Sequence, residues 1–131
     1  MSAALQPLAD ALKAAYEARD TKRLAPLLAA DVRWGGEEET PETCHSDRDA
    51  LAWYERLRVQ GADAQVEEVL VRERGVVLGL RVSLPRRDAD GAFDASQVWQ
   101  SFAVDDGLVV EIRGYPDRDA ALAFADAPPP D

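Results

Sequence analysis

The sequence predicts an α+β fold, with helices first and a mainly antiparallel sheet after them. Three observations carry this. Apolar residues recur at three- and four-residue spacing through much of the first half of the chain. From Ala64 onward they alternate instead, one in and one out, as strands require. Near the C-terminus two runs of β-formers, VWQSFAV and LVVEIRGY, flank Asp105-Asp106-Gly107, and an Asp-Gly pair so placed is a strong hairpin signal.

Leu5, Leu8, Leu12, Ala15 and Tyr16 form the stripe of a first helix. Pro7 is tolerated in a first turn, so this helix is expected to start near it. Asp20 suits the N-cap of a short second helix running towards Ala30, which Pro26 should shorten or kink. Asp31 to Trp34 reads as a short strand, and Gly35 to Thr43 as a loop carrying Glu37, Glu38, Glu39 and Pro41. Ser46 or Asp47 caps a third helix with Ala50, Leu51, Trp53, Tyr54 and Leu57 on its apolar face, closed by Gly61.

Four strands follow. Val66 to Arg72 and Val76 to Leu84 are joined by Glu73-Arg74-Gly75. A polar loop from Pro85 to Asp94, with an Asp90-Gly91 step, leads to Ser96–Val104 and Leu108–Tyr115. Pro116 ends the last strand and has the φ to open a helix, for which Asp117, Asp119 and the run from Ala120 to Phe124 are suited. No repeat or second domain is visible. One domain is expected over residues 1–125, with a frayed Pro-rich tail from Asp126 to Asp131.

Composition narrows the partners. The chain has 131 residues, with 15 basic against 25 acidic side chains and a formal charge of −10. That balance argues against nucleic acid and anionic membrane, which attract basic patches. No apolar run has transmembrane length, and the start lacks a basic region followed by an apolar core, so neither a membrane span nor a signal peptide is expected. A single cysteine, Cys44, allows no internal disulfide and fits a reducing cytoplasm.

The stretch from the turn glycine through the last strand to aromatic-x-Asp and an Ala-Leu helix resembles the final hairpin of the nuclear transport factor 2-like superfamily, in particular its SnoaL-like branch. The opening is similar too, with a helix, then Asp20-Thr-Lys-Arg-Leu, then Leu27-Leu28-Ala-Ala-Asp31-Val-Arg-Trp34. The likeness covers nearly the whole chain. It implies a cone-shaped, curved sheet wrapped around the N-terminal helices. It leaves function open, since this fold serves isomerases, cyclases, hydrolases and non-catalytic binding proteins. It also implies a homodimer paired sheet against sheet.

Alignment with the family's enzymes implies that Arg81 with Ser83, Gln100 with Phe102, and Ile112 with Gly114 face into the cone. The other face of the sheet would then be largely apolar on one strand, with Trp99 and Tyr115 beside it, and such a surface calls for a partner. Isomerase-type relatives carry a general-base Asp where this chain has Trp34-Gly35. Epoxide-hydrolase relatives use an Arg-x-Asp pair and a further Asp where it has Arg81-x-Ser83 and Gly114. The family's aspartates are therefore missing, and a serine does not replace a carboxylate base without its own activator.

The candidate site follows. Arg81 is the expected polar anchor, because a guanidinium in an apolar cone needs an acceptor. Trp34, Tyr54, Ser83, Gln100, Phe102 and Ile112 are the expected ligand-binding residues around it, and Trp53 and Tyr16 could extend an aromatic lining. The ligand expected is small and hydrophobic, flat or polycyclic. His45 or a loop glutamate is the alternative base of a lyase, isomerase or hydrolase, with Arg81 polarising an oxyanion. A dimerisation module with a filled cone is a third reading. Cys44 and His45 point apart in an extended segment and fall short of a zinc site, so neither metal nor cofactor is expected.

Overall fold

The computed structural model describes residues 5–36, 38–85 and 93–126. The tail from 127 onward and the Asp90-Gly91 step lie outside the described residues. The order is α1 (Gln6–Ala18), α2 (Thr21–Leu24), a single 3₁₀ turn (Ala25–Leu27), β1 (Leu28–Gly35) and α3 (Asp47–Val59). Then come β2 (Asp63–Val71), β3 (Gly75–Pro85), β4 (Phe93–Asp105), β5 (Leu108–Tyr115) and α4 (Arg118–Asp126). The strands form one sheet in the order β1-β5-β4-β3-β2. β2 to β5 are an antiparallel meander, and β1 runs parallel to β5. The architecture is the expected α+β plan of a curved sheet with N-terminal helices.

Local chemistry sets the helix boundaries. Asp20 Oδ1 accepts the Lys22 N–H at 2.9 Å, and Ser46, rather than Asp47, caps α3 by accepting the Asp49 N–H at 3.1 Å. The second helix stops earlier than expected. Pro26 lacks an N–H, the chain tightens into a 3₁₀ turn, and β1 begins already at Leu28. β3 and β4 are longer than their hydrophobic runs, since Leu84 and Pro85 still pair with Asp94 and Phe93.

The inner face of the sheet carries Val76, Leu78 and Leu80 of β3 with Phe102 of β4 and Ile112 of β5, packed on Leu12 and Tyr16 of α1. Two irregularities steer this core. The β4–β5 ladder shifts between Ala103 and Val104, so Val109 joins Ile112 in the core, although strict alternation would have sent Val110. The β2–β3 ladder shifts between Val66 and Glu68, which turns both Val66 and Val69 inward.

This register corrects one expected face. Cross-strand partners share a face. Leu78 lies opposite Gln100, and Arg81 lies opposite Gln97, so Arg81 and Ser83 sit on the outer face while Gln100 and Phe102 are inside. The apolar row of β3 is therefore the core, not an exposed surface.

The outer face is not bare either. Val77, Trp99 and Tyr115 pack beneath α4, whose Ala121 and Ala125 are buried against them. Arg72 bonds Asp126 through two nitrogens, at 2.8 and 2.7 Å, and Arg118 reaches Glu68 at 2.9 Å. The guanidiniums of Arg113 and Arg118 lie over the rings of Phe124 and Trp99, at 4.3 and 5.8 Å from the ring centres. The apolar part of the outer face around Trp99 and Tyr115 is thus covered by α4 of the same chain.

Gly79 makes that cover possible, because a Cβ there would overlap the Trp99 ring. Gly79→Ala is expected to displace Trp99 and cost about 1–3 kcal/mol, measured as a lower urea midpoint with an unchanged slope.

Candidate functional site

The open end of the cone is built by α1, β1, α3, β3 and β4, with the start of β2 at its edge. The last turn of α1 brings Tyr16, the residue just past it is Arg19, and β1 brings Trp34. The inner flank of α3 brings Trp53, Tyr54, Leu57 and Arg58. Leu80 and Val82 of β3 with Val98 and Gln100 of β4 supply the sheet side. Together they enclose a cavity of about 270 Å³ with a largely apolar wall. The aromatic rings hold one another in place. Tyr16 and Tyr54 lie 5.6 Å apart, Trp34 and Trp53 5.3 Å in an edge-to-face pair, and Trp34 and Tyr54 6.2 Å.

One polar pair lies deep in this wall. The Tyr16 hydroxyl donates to Gln100 Oε1 at 2.6 Å. Tyr16 is only 2% exposed. Burial, helped by Tyr54, holds its phenol well above the ordinary tyrosine range, so it stays a neutral donor. With its oxygen engaged by Tyr16, the Gln100 side chain has its amide N–H groups left to donate. Tyr54 is pushed up by burial as well. At the mouth, Arg19 Nη2 lies 2.9 Å from Asp63 Oδ1, and Arg58 bonds both carboxylate oxygens of Glu55.

A second concavity of about 330 Å³ adjoins the first and shares Trp34, Trp53, Val98 and Gln100 with it. Its other wall is the loop after β1, with Thr40, Glu42, Thr43 and Cys44. That loop is pinned by reciprocal backbone bonds between Trp34 and Cys44 at 3.0 and 2.9 Å. Burial, with the Asp49 charge, pushes the Cys44 thiol up, so it is a poor nucleophile.

The expected site residues divide. Trp34, Tyr54 and Gln100 are brought together on the cavity wall. Phe102 and Ile112 face the same way but are fully buried below it, Phe102 packing edge-on to Tyr16 at 6.0 Å. Arg81 does not enter; it borders a separate concavity on the outer face with Glu67, Ser96 and Gln97. Ser83 shares its outward face. His45 is 60% exposed and pairs with Glu39 at 2.7 Å, outside both concavities. That bond, ahead of the His45 and Arg33 charges, lowers the Glu39 carboxyl. Among the described residues, no three His, Cys, Asp or Glu side chains gather as metal ligands would. No described helix is long and apolar enough to cross a membrane. The sequence reading missed Arg19, Arg58 and Asp63, because helix-end and strand-start charges look like ordinary solvated positions until the fold sets them around one opening.

No family model matches the chain, and no curated protein matches it. Solved structures do match. An NTF2-like protein of unknown function from Burkholderia pseudomallei is 17% identical, with a TM-score of 0.67 over 97% of this chain and 100% of that one. A protein from Mesorhizobium loti assigned as a SnoaL-like polyketide cyclase is 15% identical, with a TM-score of 0.69 over 85% of this chain and 97% of that one. An LEH-like epoxide hydrolase of M. tuberculosis is 17% identical, with a TM-score of 0.65 over 93% and 90%. At such identities the likeness is one of fold, and the fold is the nuclear transport factor 2-like one, shared with SnoaL-like proteins.

Proposed function

We propose that the chain is a small-molecule-binding domain of SnoaL-like type, whose ligand is a flat, largely apolar ring system. The observation that carries this is the aromatic cavity with one deep polar pair, Tyr16–Gln100. Apolar walls give such a ligand its affinity, and a single amide aimed at a carbonyl or ether oxygen fixes its orientation. The anchor is therefore Gln100, in place of Arg81. A reducing cytoplasm is the setting we propose, on the single free Cys44.

Tryptophan emission tests the reading. Trp34 and Trp53 line the cavity, whereas Trp99 lies under α4, so Trp99→Phe leaves a reporter of the cavity alone. A neutral naphthyl ligand is expected to quench it saturably. In a Gln100→Leu variant, a naphthyl ketone is expected to bind about five- to tenfold more weakly while naphthalene binds as before. Linear, unsaturable quenching would contradict the proposal.

A second reading is favoured by Glu42, the carboxylate that borders the adjoining concavity. It would serve as the loop base of a lyase, isomerase or hydrolase, with Gln100 in place of Arg81 at the developing oxyanion. If so, Glu42→Gln is expected to abolish turnover of a bound substrate at unchanged affinity. Equal turnover in both proteins would remove this reading.

A further inference from the structure

We infer that the mouth of the aromatic cavity grips one anionic group of its ligand, with Arg19 and Arg58 as the two arms. The inference rests on the small-molecule-binding reading and narrows its ligand class.

The first observation is a backbone one. Arg19, just past α1, has φ 54° and ψ 42°, a left-handed conformation. L-residues with a bulky side chain adopt it at a cost, and helices that end this way usually carry glycine there. The capping itself needs only backbone: the Arg19 N–H donates to Tyr16 O and the Asp20 N–H to Ala15 O, both at 3.2 Å. Glycine would make the same bonds without strain. What glycine lacks is the guanidinium, which lines the cavity mouth. Among the described residues Asp106 is the other non-glycine with positive φ, and it is accounted for by its hairpin turn with Gly107. The helix-end bonds account for the backbone conformation of Arg19, but not for an arginine in place of glycine there.

The second observation is charge. Among the described residues the ionised side chains bordering the cavity are Arg19, Arg58 and Asp63, two positive against one negative, in a chain of net charge −10. Glu55 balances Arg58 but does not itself border the cavity. Attraction of cations to a helix C-terminus explains a basic residue at the end of α3. The same attraction acts on Arg19 at the end of α1, yet glycine would take that left-handed position at less cost, so the positive charge there is kept against the conformational preference. Both existing ion pairs are one-third to one-half exposed, so solvent screens them. An anion seated at the rim of an apolar cavity is poorly hydrated, and charge-assisted bonds from a planar guanidinium to it are correspondingly strong. The ligand class is then a flat apolar ring system bearing one carboxylate, sulfonate or phenolate.

Two fluorescent probes with the same rings separate the charge from the cavity: N-phenyl-1-naphthylamine, neutral, and 8-anilinonaphthalene-1-sulfonate, anionic. The two are expected to compete, the sulfonate binding about tenfold more tightly. Arg19→Gly and Arg58→Gln should each weaken the sulfonate about tenfold and leave the neutral probe within about twofold. Arg19→Gly should also keep or raise the thermal midpoint, so that its loss of binding is not a loss of fold. Asp63→Asn, which removes the competing carboxylate, should tighten the sulfonate alone. Equal affinities for the two probes, non-competing sites, or a preference that survives both arginine substitutions would overturn the anion grip and leave the cavity reading standing. Binding of neither probe would sink both.

Discussion

A chain ending at Tyr115 is expected to lose its folded, dispersed state. Removing α4 uncovers Trp99, Tyr115 and Val77 on the outer sheet face. An aromatic side chain buries 150–250 Å², and apolar area is worth about 25 cal/mol per Å². Losing even half of the cover on two such residues costs roughly 4–6 kcal/mol, a large share of the 5–15 kcal/mol typical of a whole domain. The exposed ion pairs Arg72–Asp126 and Arg118–Glu68 add little to this, so double substitution of the acidic partners should have a small effect beside truncation. Sedimentation velocity with circular dichroism is the measurement. Association or partial unfolding is expected of residues 1–115, and a folded, monodisperse truncated chain would show that α4 is dispensable. The same experiment on the full chain bears on self-association. A homodimer through the outer sheet face, which the family resemblance implies, would have α4 at its interface in place of bare sheet.

Tyr16→Ala is expected to be the most damaging single substitution. The ring fills the space between Tyr54 and Phe102, and large-to-small changes of this kind cost about 3–5 kcal/mol. The orphaned Gln100 acceptor adds to that. Tyr16→Phe keeps the packing and loses only the hydrogen bond, for about 1–2 kcal/mol. The two tyrosines also set an alkaline limit. A phenol whose folded value is raised holds its proton more tightly in the folded state. The stability it contributes is complete below the unfolded value near 10 and is lost as pH rises through the folded one. Chemical denaturation should therefore show stability falling above about pH 10. The fall should be shallower in Tyr16→Phe, with Tyr54 accounting for what remains. An identical alkaline slope in the two proteins would place Tyr16 outside the buried wall.

The elements of this fold were legible because their signals are local. Asp20, Ser46, Pro116 and the Asp106-Gly107 turn each act within a few residues, and the last hairpin appears where its sequence places it. Facing was legible only in part. Val76 to Leu84 alternate cleanly, but alternation does not say which set is inward. The answer lies in a register with β4 that puts Leu78 opposite Gln100. That one parity puts Arg81 on the outer face and the apolar row of β3 in the core. The shift after Ala103 was equally silent, since Val109 and Val110 are chemically the same. The aromatic wall was anticipated because Trp34, Tyr54 and Tyr16 are rare, bulky residues. The guanidiniums at its mouth were not. A left-handed arginine leaves no mark in the sequence, and Arg19 meets Asp63 only through the closing of α1 over the start of β2.

The central claim is that the space between Trp34, Tyr54 and Gln100 holds a ligand. Val98 borders both concavities, so Val98→Trp should fill that space at little cost to the fold. The decisive measurement is a fluorescence titration with N-phenyl-1-naphthylamine of the parent protein and of Val98→Trp, each checked for an unchanged far-ultraviolet spectrum. The account predicts saturable binding of one probe per chain in the parent and none in the filled variant. Equal binding by both would contradict it.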